Sequence, residues 1–85
     1  MEEKIAKKMA EKINNKEVFI GMNSTVRAYK NGQLDFIVYS KNISENMLSR
    51  LEKLGAPLHK YDGDSESMSI ACGKKFNVAV IGIKK

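Results

Sequence analysis

Apolar residues in this chain recur at helical and then at strand spacing, four times over, and no other property restricts the fold as much. Ile5, Met9 and Ile13 stand at i, i+4 and i+8 with Ala6 and Ala10 beside them, so a helix with one apolar stripe is expected over 2–13, ending at Asn14-Asn15. Val18-Phe19-Ile20 is a short run of β-formers stopped by Gly21, expected as a strand. Asn23 or Ser24 is expected to cap a second helix that runs to about Asn31, with Gly32 as its stop. Leu34–Tyr39 is almost continuously apolar, as suits a strand covered on both faces. From about Ser44, Met47, Leu48, Leu51 and Leu54 share a helix face, and Gly55-Ala56-Pro57 ends that helix. A weaker strand follows at Leu58–Tyr61, then a turn at Asp62-Gly63-Asp64. A short helix runs from Asp64 or Ser65 to Cys72, stopped by Gly73, and the last strand is expected over Phe76–Ile83.

The order α-β-α-β-α-β-α-β predicts an α/β fold, a three-layer α/β/α sandwich around a central four-stranded mixed sheet. No repeat, low-complexity tract or linker interrupts it, and 85 residues suit a single domain, 1–85. A domain of this size buries only about 60–65% of the surface its unfolded chain exposes, which leaves little room for a catalytic chamber.

Fifteen Lys and Arg against ten Asp and Glu give a net charge of +5, which favours an anionic partner. The distribution is more informative than the sum. Residues 18–34 carry Arg27 and Lys30 and no carboxylate, and after Glu66 there are Lys74, Lys75, Lys84 and Lys85 but no acid. Two acid-free basic stretches beside short loops look more like an anion-facing surface than like scattered solubility charge.

Several chemistries lack their residues. Cys72 is the one cysteine and His59 the one histidine, so an internal disulfide and a Cys/His zinc site are both unavailable. Cys72 has no second histidine to serve as its base, and His59 falls within an expected strand. Neither GxGxxG nor GxxxxGK[ST] occurs. Asp62, Asp64 and Glu66 alternate, but the rest of a calcium loop is missing, so a capped turn is expected. No enzyme activity, metal or cofactor is therefore expected. The opening Met1–Lys8 is too charged for a secretory signal, and no apolar run nears the roughly 20 residues that span a bilayer, so no membrane partner is expected either.

Two junctions carry the candidate chemistry. At Gly21-Met22-Asn23-Ser24-Thr25, glycine permits close backbone approach, and Asn, Ser and Thr offer hydrogen bonds to bases, ribose or phosphate beside a helix N-terminus. The same residues also read as an ordinary helix cap. At Gly73-Lys74-Lys75-Phe76-Asn77, an aromatic ring follows two cations just before a strand. Phe76 can stack on an unpaired base while the lysines meet phosphates, or it can be the first core residue of its strand. In an α/β sandwich both junctions can share one edge.

These segments also resemble a known family. Gly21-Met22-Asn23-Ser24-Thr25-Val26-Arg27-Ala28, followed by Gly32, resembles the G-x-N-x-T-[LIV]-[KR]-[AS]…G signature of the kink-turn-binding ribosomal proteins. Phe36–Asn42 looks like their central strand and its Asn-bearing loop, Gly55–Leu58 like their helix-to-strand link, and Gly63–Ile83 like their C-terminal part. The likeness covers about residues 18–83. The K-x-F-x-V pattern at Lys74–Val78 resembles a large-subunit branch of archaeal and eukaryotic type, whereas a sister branch has Glu where Ser24 stands. The chain departs from the family in having Ile43-Ser44 where a Pro usually follows Asn42, and in a third helix about four residues shorter.

The resemblance implies recognition of an internal RNA loop with tandem sheared G·A pairs and one base flipped out. Gly21, Asn23, Ser24, Thr25 and Arg27 would meet the kinked backbone and guanine edges, with Lys30 adding charge on the same stretch. Asn42 would add a polar contact. Lys74, Lys75, Phe76 and Val78 would cover the extruded base, with Phe76 as the stacking ring. The expected role is structural: binding kinked ribosomal RNA in the large subunit, in the cytoplasm, beside neighbouring ribosomal proteins, the free chain being a monomer. The alternatives are a stand-alone kink-turn protein of another ribonucleoprotein and a protein-interaction module using the exposed face of helix 2–13.

Overall fold

The computed structural model of the chain describes residues 3–85. The eight elements come in the expected order: α1 (Glu3–Asn14), β1 (Val18–Ile20), α2 (Met22–Lys30), β2 (Leu34–Tyr39), α3 (Glu45–Leu54), β3 (Leu58–Lys60), α4 (Ser65–Ala71) and β4 (Val80–Lys84). The expected helix start at residue 2 lies outside the described residues.

The strands form one sheet in the order β1-β4-β2-β3. β4 runs antiparallel to both β1 and β2, while β2 and β3 are parallel, so the sheet is mixed. The two longer strands are the central ones, and each edge strand has three residues. β2 is covered on both faces, as its continuous apolar run requires. Phe36 and Val38 pack with Ile81, Ile83, Met9 of α1 and Met68 of α4. Ile37 and Val80 pack on the other face with Ala28 of α2 and Leu51 of α3. The layers are therefore α1/α4, sheet, α2/α3.

A bulge between Leu34 and Phe36 breaks the strand alternation. Leu34 joins the α2/α3 layer although Phe36, two residues on, belongs to the other. Asp35, at the bulge, pairs with Lys8 of α1, whose ammonium also lies 5.8 Å from the Phe36 ring centre. On the α2 side the sheet is approached closely at Gly82. A Cβ there would sit 2.8 Å from Leu34 Cδ2 and 3.1 Å from Thr25 Cγ2, so glycine is what admits the helix.

Three local expectations are corrected. The last strand starts at Val80, not Phe76. Phe76 is 60% exposed and Val78 N–H bonds Ser65 O, so 76–78 leave the ladder, whose last bond in register is Ser40 N–H to Ala79 O. Helix α2 starts at Met22 with Gly21 as its N-cap and no side-chain cap, so Asn23 and Ser24 lie inside its first turn. Leu48 is partly buried on α3 but does not join the core cluster that Met47, Leu51 and Leu54 pack in. The turn at 62–64 does cap its helix: Asp64 Oδ1 accepts from Ser67 N–H at 2.9 Å. Ser44 caps α3 likewise through Met47 N–H.

Candidate nucleic-acid interface

Strand directions decide where the junctions meet. Ile20 at the end of β1 is opposite Ile81, Tyr39 at the end of β2 is opposite Val80, and Lys60 at the end of β3 is beside Tyr39. The segments 21–24, 40–44, 61–64 and 72–79 thus emerge at one end of the sheet. Backbone bonds lace them together. Gly21 N–H donates to Val80 O at 2.9 Å, Ser40 N–H to Ala79 O at 2.8 Å, and Lys41 N–H to Gly63 O at 2.9 Å. Asn42 Oδ1 accepts from Ser65 N–H at 2.9 Å, which ties that loop to the start of α4 and leaves the amide nitrogen as a donor.

Gly21 holds φ 92° and ψ 162°, a backbone conformation open essentially to glycine alone. Its carbonyl accepts from Thr25 N–H at 3.1 Å, which starts the helix with backbone alone. The first-turn N–H groups of α2 therefore have no side-chain cap, and the side chains of Asn23 and Ser24 are exposed beside them. Arg27 and Lys30 follow, exposed, on the same helix. Across the same end lie Lys74, Lys75, Phe76 and Asn77, all exposed. Among the described residues the ion pairs join Lys7 to Glu3, Lys8 to Asp35 and Lys12 to Glu17, all involving α1. None takes up Arg27, Lys30, Lys41, Lys74 or Lys75. Lys41 does sit near Asp64, whose carboxyl is held below its usual range by the Ser67 N–H bond first and by this lysine last.

Two of the expected contact residues are in the interior. Thr25 is fully buried and its hydroxyl donates to Phe19 O at 3.3 Å, because α2 lies so close to Gly82. Val78 is 2% exposed and packs in the α1/α4 layer. Their side chains hold the loops in place and have no surface to offer a ligand. Gly21, Asn23, Ser24, Asn42, Lys74, Lys75 and Phe76 remain at or near the surface of this end, Arg27 lies one turn further along α2, and Lys30 is exposed at the far end of that helix. Sequence reasoning passed over Lys41, which is visible beside Asn42, and Arg50, which only tertiary packing brings next to α2.

The other chemistries gain nothing from the geometry. His59 packs edge-on against Phe36, rings 5.3 Å apart. Cys72 is half-buried, and burial pushes its thiol up, away from the nucleophilic thiolate. Among the described residues no cluster of three or more His, Cys, Asp or Glu is placed to hold a metal ion.

Residues 3–85 match the sequence profile of the Ribosomal protein L7Ae/L30e/S12e/Gadd45 family. The chain belongs to this family. Its curated relatives include large ribosomal subunit protein eL30 of Methanosarcina mazei, 28% identical over 93% of this chain and 77% of the relative. Another is eL30 of Methanosphaerula palustris, 33% identical over 84% of this chain and 75% of the relative. The large-subunit branch expected from Lys74–Val78 is the branch of these relatives. Both are named as ribosomal components, neither as an enzyme. Among solved structures, the Giardia lamblia 15.5kD RNA binding protein superposes with a TM-score of 0.74 at 15% identity, covering 100% of this chain and 78% of that one. A Bacillus halodurans protein of unknown function reaches 0.81 at 22% identity, covering 99% and 87%. At these identities the likeness bears on the fold, which is the expected α/β/α sandwich.

Proposed function

We propose that this chain is a structural, non-enzymatic component of the large ribosomal subunit that binds kinked ribosomal RNA through the loop end of its sheet. One observation carries the reading. The fold gathers the uncapped start of α2, with Asn23, Ser24 and Arg27, and the 74–77 loop, with Lys74, Lys75 and Phe76, on one end laced by backbone bonds. Phosphates would lie against α2 and the lysines, guanine edges near Asn23 and Ser24, and an extruded base against Phe76, with the Asn42 amide adding a donor. Family membership and the eL30 relatives support a ribosomal partner, and with it a place on cytoplasmic ribosomes beside other ribosomal proteins. The free chain is read as a monomer.

The test compares a kink-turn RNA with a plain duplex of equal length at fixed salt. Preference for the kinked RNA is expected, and equal affinity would end kink recognition. A second reading, a stand-alone kink-turn protein of another ribonucleoprotein, draws on Ile43-Ser44 and on the short third helix, where the chain leaves the family pattern. Co-sedimentation with large subunits in high salt separates the two.

A further inference from the structure

Helices α2 and α3 lie side by side, and between them is a cleft of about 390 Å³ lined by Asn23, Val26, Arg27, Lys30, Asn31 and Arg50. Three of its six lining residues are cations and none is an acid. Arg50 was singled out by nothing in the sequence; it comes from α3 and forms the opposite wall. Like charges three or four residues apart on a helix repel, and Arg27 and Lys30 are such a pair. Adding a third cation across the cleft increases that repulsion, and none of the three has an ion-pair partner among the described residues. Such an arrangement becomes favourable when an anion occupies the cleft.

We propose that this cleft seats the phosphate backbone of a duplex stem leading out of the kinked RNA, so that α2 reads the kink at its N-terminus and tracks the stem along its length. Asn23 and Arg27 belong to both the cleft and the loop end, so an RNA held at the one passes directly beside the other. Asn23, Arg27 and Lys30 at i, i+4 and i+7 form a row about 10 Å long at 1.5 Å per residue. A row of that length can face successive phosphates of one strand. The amides of Asn23 and Asn31 supply neutral donors at the two ends of this row. An acidic protein segment has the same charge but no such continuity with the kink.

This inference rests on the reading of the loop end as an RNA site, and the experiment separates the two. Wild-type protein is first titrated with a kink-turn RNA and with plain duplex; absence of preference there defeats the function itself. Binding is then measured for kink-turn RNAs cut back at the kink or extended on each stem in turn. Arg50→Gln is expected to weaken the RNA extended on one stem several-fold, to lower its salt slope by about one, and to leave the cut-back RNA unchanged. Arg50→Lys should restore most of the loss, because a phosphate contact needs charge more than shape. Lys4→Gln, with the same change of net charge on the opposite layer, should do nothing. Equal loss on all RNAs, or no loss on any, overturns the proposal. So does a variant that keeps every RNA affinity but loses binding to a poly-glutamate peptide, which would assign the cleft to an acidic protein.

Discussion

The backbone N–H of Gly21 donates to the carbonyl oxygen of Val80 over 2.9 Å, fastening the first turn of α2 to the first residue of β4. The bond depends on a glycine conformation, φ 92° and ψ 162°, with nothing within 4 Å of where a Cβ would stand. The cost of replacing Gly21 is thus backbone strain rather than a clash. Gly21→Ala should destabilise the fold by about 1–3 kcal/mol, read from the denaturation midpoint. RNA affinity should fall as well, since α2 and the 74–77 loop are placed by the same bond.

Phe76 is 60% exposed and lies outside both apolar layers. Phe76→Ala should leave stability within about 0.5 kcal/mol of wild type. Affinity for kinked RNA should drop by about 1–3 kcal/mol if the ring stacks on a base. An unchanged dissociation constant would remove the ring from the site.

Val78, two residues on, should behave in the opposite way. Its side chain is buried against α1 and α4, and Val78→Ala should cost roughly 2 kcal/mol of stability. Titrated well below its unfolding transition, the variant should bind RNA almost as wild type does. A large affinity loss in the fully folded variant would place Val78 among the contacts after all.

Acid should loosen the loop end. The Asp64 carboxyl is held below its usual value chiefly by the Ser67 backbone N–H, and that of Glu17 chiefly by the Lys12 ammonium. A carboxyl whose folded pKa is depressed contributes stability above its unfolded pKa and loses it as pH falls through the folded one. Stability should therefore decline below about pH 4, where carboxylates protonate. Asp64→Asn should flatten part of that decline, and identical acid titrations for variant and wild type would show that the cap contributes nothing to it.

Much of the architecture is legible from side-chain periods. β2 announces its burial on both faces by having no polar alternation, and α1 shows its stripe at Ile5, Met9 and Ile13. What escapes is decided by backbone geometry. Nothing local says that Gly21 starts α2 without a side-chain cap, since Asn23 and Ser24 have good capping chemistry. Val78 continues the apolar pattern of Val80 and Ile81, yet its N–H is taken by Ser65 O, so the strand begins later than the pattern does. Leu34 changes layers through a bulge that no period reveals. At the candidate site the polar and charged residues were readable one by one. Their burial was not, because Thr25 turns inward only where Gly82 lets α2 approach, and Arg50 joins the α2 cleft only once α3 lies beside α2.

The three-residue edge strands have a consequence for how the protein meets copies of itself. A long bare edge is a template on which another chain can add a strand, and a protein with such an edge risks assembling into fibrils. Here the long strands are the inner two, and each rim exposes only a few open backbone groups, one rim bordering an antiparallel neighbour and the other a parallel one. A second copy docking edge to edge would gain too few bonds to stay, which leaves the charged loop end as the more adhesive surface.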